Sequence, residues 1–168
     1  MTGARNVKGG PVLLSSGLAA GLGMSLYAFQ PVVPVPASLM RYDDLPRRLL
    51  RLAHIAAVML PLINVVVGPW LDRVRLPVHA REAASWLLLL GAITLPYALA
   101  LEAAVPTLIA LHLSALPAVA FCLGLFIVSA GAYRTNFTTE VRHAASDRRG
   151  TEDHFHRRRS LEEAPGNP

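Results

Sequence analysis

Thiols are nearly missing from this chain: Cys122 is its single cysteine, which excludes an internal disulfide and any cysteine-built metal cluster within one molecule. Charge is scarce as well, with Asp, Glu, Lys and Arg making up 16% of the 168 residues against 53% apolar ones, and the mean hydropathy is +0.41. Soluble domains carry about 25% charged residues, so the shortage points to a bilayer. Motifs for common chemistries are lacking too. The chain has no phosphate-binding glycine loop, no HExxH, no nucleophile elbow and no pair of carboxylates within an apolar run. Hydrolytic and nucleotide-driven activities therefore have no support, and whether the chain is an enzyme is left open.

What is present in quantity is long apolar sequence. A spanning helix needs roughly 20 mostly apolar residues, and four runs qualify, over about 11–30, 49–70, 83–103 and 107–133. The expected fold is an all-α membrane protein, a four-transmembrane-helix bundle, preceded by an N-terminal segment at 1–10. The basic stretch 135–168 cannot bury enough apolar surface to offset its ordering entropy and is expected to be a disordered tail. The first run has the basic start and apolar middle of a signal peptide. No small-x-small cleavage site follows in "LYAFQPVVP", which favours an uncleaved anchor.

The net charge of +5 and pI near 10.1 do not imply nucleic acid, because the arginines gather at the ends of the apolar runs and in the tail. That is how charge orients a membrane protein. The connection between the third and fourth runs has no positive charge and carries Glu102, so it should face outward. Arg73, Arg75, Arg81 and both termini then lie in the cytoplasm, as in a multi-pass protein of a bacterial inner membrane. One loop breaks the rule: "RYDDLPRRLLR", residues 41–51, lies outside with four arginines.

Two histidines fall in the expected spans, His54 in the second and His112 in the fourth. Each lies about five or six residues from the outer end of its run, roughly 7–9 Å deep at ~1.5 Å per residue. A weak echo between "LAHIAAVMLPLINVVVG" and "ALHLSALPAVAFCLG" suggests a parallel repeat with the histidines at related positions. Neutral imidazole ligates haem iron and transition metals, so a b-type haem with His54 and His112 as axial ligands is one expectation. Arg47, Arg51 and His54 share a helical face, and the arginines would meet the haem propionates, which would explain their position outside. The plan is similar to that of small bis-histidine membrane cytochromes, although no family motif is matched. Electron transfer or haem handling is thus one function. The alternative is a non-redox accessory subunit or assembly factor that packs against other membrane subunits through small-residue helix faces. Under it, the histidines make interhelical hydrogen bonds or meet interfacial water, and the arginines snorkel to lipid phosphates.

Other features read as structure. "GLAAG" at 17–21 is a GxxxG pattern that permits close helix approach. Pro61, Pro96 and Pro117 fall inside spans, where each removes a hydrogen bond. Asn64 is an interhelical hydrogen-bond donor. Trp70, Trp86, Tyr27 and Tyr97 form an aromatic belt, with Tyr97 placed near the histidine layer. His79 is solvated, and "DHFHRRR" at 153–159 belongs to the tail.

Overall fold

The computed structural model describes residues 2–28, 34, 39–41 and 43–134. The expected tail and its "DHFHRRR" lie outside the described residues, as does the side chain of Tyr27. The chain forms four helices long and apolar enough to cross a membrane, and no strand among the described residues. They are α1 (Ala4–Ala28), α2 (Leu45–Leu71), α3 (Val78–Ala104) and α4 (Ala115–Arg134). A short 3-10 turn, Pro106–Leu111, precedes α4.

All four helix starts differ from the sequence expectation: α2 and α3 begin about a turn early, at Leu45 and Val78, and the larger shifts of α1 and α4 each have a local cause. α1 starts at Ala4 instead of Pro11, which lies inside the helix. The Asp72 carboxylate at the end of α2 accepts hydrogen bonds from the Thr2 and Gly3 amides (2.9 and 3.3 Å). It satisfies donors that a helix start leaves unpaired, and the extra residues, about two turns of helix, carry Asn6 into the bundle. The fourth span, in turn, begins at Ala115 and not at Thr107. Pro106 disfavours helix at Val105, so α3 stops at Ala104 and the chain turns through the 3-10 segment. That segment ends at His112, in the left-handed region at φ 49°. The carboxylate of Glu102, itself buried, then accepts from the Ser114 amide (2.9 Å) and hydroxyl (3.0 Å), holding the start of α4. Pro117 consequently sits in the first turn of α4, where its missing N–H has no helical partner to lose. It does not interrupt a span.

The helices run antiparallel in sequence order. Burying apolar surface gives no driving force between helices in lipid, so close packing and interhelical hydrogen bonds must hold them. α1 and α2 meet along small residues: a side chain at Gly3 would overlap the Gly68 carbonyl, and one at Gly17 the Ala57 carbonyl. The GxxxG pattern thus has α2 as its partner. α3 and α4 approach in the same way, with Gly91 against Phe121 and Gly124 against Leu87 and Leu88. Leu71, Ala84, Leu88, Ala92, Phe121 and Val128 form the main core cluster.

At the end where α1 begins, three helices share a buried polar network. Asn6 Nδ2 donates to Asn64 Oδ1 (2.6 Å), Ser85 Oγ donates to Asn6 Oδ1, and Asn64 Nδ2 donates to the Leu60 and Leu88 carbonyls (3.0 and 3.2 Å). Asn64 is an interhelical donor as expected, and an acceptor as well. Trp86 lies near the same end, with the Arg5 guanidinium 5.0 Å above its ring.

Candidate functional site

Beyond that network α1 and α3 flank a cavity of about 230 Å³, with α2 as its third wall. Small residues make the space: Gly17 and Ala20 from α1, Ala53 and Ala57 from α2, Ala92 and Ala100 from α3. Two prolines border it. Pro61 and Pro96 have no N–H to offer the carbonyls one turn earlier, and those belong to Ala57 and Ala92, which line the same cavity.

Among the described residues no charged side chain lines the cavity; its polar side chains are Ser16, His54 and Tyr97. The Ser16 hydroxyl already donates within its own helix, to the Leu13 carbonyl at 2.7 Å. His54 is half-buried, and its ring lies against Gly21, where a side chain would overlap the imidazole. Its Nδ1 is buried and has no hydrogen-bond partner among the described residues. An unpaired polar atom in such a place costs about 1–3 kcal/mol, and native structures leave few of them without a purpose. Tyr97, 73% exposed, stands at the edge of the cavity.

The histidine pair expected from the sequence is not assembled around this space. His54 lies nine residues into α2 (Leu45 to His54), about 13 Å along the helix axis at ~1.5 Å per residue. His112 belongs to the same end of the bundle but to the connection before α4. It is exposed, and its Nδ1 lies 3.1 Å from the Ala110 carbonyl. It does not line the cavity. The matched depth and the proposed repeat both assumed a helix from Thr107, and the Pro106 turn removes that assumption.

The arginines of 41–51 also have local uses. Arg47 Nη1 donates to the Leu39 and Met40 carbonyls (3.3 and 3.1 Å), Arg48 pairs with Asp43 at 3.6 Å and Arg41 with Asp44 at 3.8 Å. Arg47 therefore pins the loop onto the start of α2. The arginines of 41–51 have partners on the protein without a propionate. Arg51 remains one turn before His54 on α2.

Sequence reading did not single out Asn6, Ser85 or Ala20. Asn6 was hidden because it precedes the apolar run, and Ala20 because one alanine among many carries no signal. Among the described residues no group of three or more His, Cys, Asp or Glu side chains is placed to hold a metal ion. Comparison with protein-family models, curated proteins and solved structures finds no match to this chain.

Proposed function

We propose that this protein is a small multi-pass membrane protein that binds an apolar ligand inside its bundle, with His54 as the polar anchor. The observation that supports this is the buried, unpartnered Nδ1 of His54 on a ring that lines a ready-made cavity. Ligand pockets are apolar with a few placed polar groups, and this one has that composition. We propose an inner membrane with both termini cytoplasmic. The support is the charge pattern: Arg73, Arg75 and Arg81 at one end, and no Lys or Arg from Glu102 to Tyr133.

A haem on this site would be held through the His54 imidazole, with no second imidazole among the described residues that line the cavity. The visible spectrum of protein expressed with ample haem separates the forms of the reading. We expect no Soret band, together with stabilisation of the purified protein by an added small aromatic hydrocarbon such as naphthalene. Ala20→Phe, which fills the cavity from an exposed position, should abolish that stabilisation while the helix content stays unchanged. Equal indifference of both proteins to naphthalene would sink the binding role and leave a non-redox accessory subunit as the better reading. A Soret band lost in His54→Ala would restore haem.

A further inference from the structure

We infer that the ligand is of the quinone class: an uncharged ring or fused ring pair bearing oxygens, with its tail in the lipid. This rests on the binding role proposed above and names the chemistry of the same site.

Size sets the first limit. An apolar cavity of about 150 Å³ accommodates benzene, so one of about 230 Å³ suits one ring with substituents or two fused rings. A tetrapyrrole or a four-ring sterol exceeds that volume and would extend out of it. Charge sets the second. With no cation among the described residues of the lining, a fatty-acid carboxylate or a lipid phosphate would be buried there without a counter-charge, at a cost of several kcal/mol.

Hydrogen bonding sets the third, since a plain hydrocarbon would leave the imidazole unpaired. Neutral imidazole has one N–H donor and one bare acceptor nitrogen, and rotation about its Cβ–Cγ bond changes which edge meets the cavity. His54 lines the cavity from α2 and Tyr97 lines its edge from α3. Two hydrogen-bonding groups on different walls match a ring with oxygens at separate positions. A quinone accepts from the imidazole N–H and the phenol. A quinol donates to the bare nitrogen and to the Tyr97 phenol oxygen, which accepts as well as donates. Both forms therefore find partners, and the exposed Ala20 and Tyr97 mark where a tail leaves between α1 and α3.

The test uses the full chain in phosphatidylcholine nanodiscs and two probes of equal size, a naphthoquinone and a naphthalene, each with the same short alkyl tail. Equilibrium titration, with partition into protein-free nanodiscs subtracted, should show both probes binding and the quinone about tenfold tighter, the worth of one or two buried hydrogen bonds. His54→Leu should abolish the preference and retain naphthalene binding, and Tyr97→Phe should reduce the preference severalfold. Equal affinities in the unmodified protein, or a preference that survives His54→Leu, would overturn the quinone assignment while leaving the cavity as a binding site. Failure of both probes to bind would overturn the binding role itself.

Discussion

The two ends of α2 carry the same problem and solve it differently. Asn64 and His54 are both polar side chains on one apolar helix. Asn64 is fully buried and meets α1, α3 and its own backbone in three hydrogen bonds, while His54 has a buried nitrogen with none among the described residues. A polar group that is satisfied from three sides fixes how helices meet, because every member of the network is lost together. One left unsatisfied adds nothing to the fold and costs stability, so its value must lie elsewhere. The difference separates a structural end of the bundle from a binding end.

The contrast is broken most directly at Asn64. Asn64→Leu removes an acceptor from Asn6 and a donor from the Leu88 carbonyl. Orphaning buried groups should destabilise the protein by about 2–3 kcal/mol, read as a shift in denaturant unfolding of the purified protein. A loss under about 0.5 kcal/mol, the scale of an ordinary surface substitution, would mean the network is not what joins these helices. Gly17→Val comes next, since its side chain would meet the Ala57 carbonyl. Overpacking of this kind costs about 1–3 kcal/mol, and the same unfolding measurement should show it. An unchanged midpoint would show that α1 does not need the close approach.

The architecture was open to sequence reading because lipid imposes it: apolar runs of spanning length can only be helices, and their number and order follow from where charge interrupts them. Helix ends were not, because single contacts decide them. Asp72, far along the chain, sets the start of α1 through the Thr2 and Gly3 amides, and Pro106 with Glu102 sets the start of α4. The candidate site was half legible. His54 stood out by its cost in an apolar run, as did the small residues beside it. Its pairing with His112 depended on a helix boundary that hydropathy could not locate, and the role of Arg47 depended on a loop carbonyl that no side-chain pattern encodes.

At the binding end the expected effect is smaller and opposite in sign. His54→Leu replaces an unpaired polar ring with an apolar side chain, which should leave stability unchanged or raise it by up to about 1 kcal/mol. A fall of more than about 1 kcal/mol would place His54 with Asn64 among the structural residues, and the comparison between the two ends would collapse.

His112 gives the smallest effect and the sharpest discrimination. Its backbone is left-handed at φ 49° and its side chain is exposed, a conformation that asparagine adopts about as readily as any residue except glycine. His112→Asn therefore keeps the turn that delivers Ser114 to Glu102, and unfolding free energy should change by less than about 0.5 kcal/mol. The ratio of naphthoquinone to naphthalene affinity should not move either, because this imidazole does not line the cavity. If the ratio fell as it does in His54→Leu, the two histidines would be acting on one ligand after all. The 3-10 turn would then have to close over the cavity when the ligand binds, bringing back the pairing that the sequence suggested.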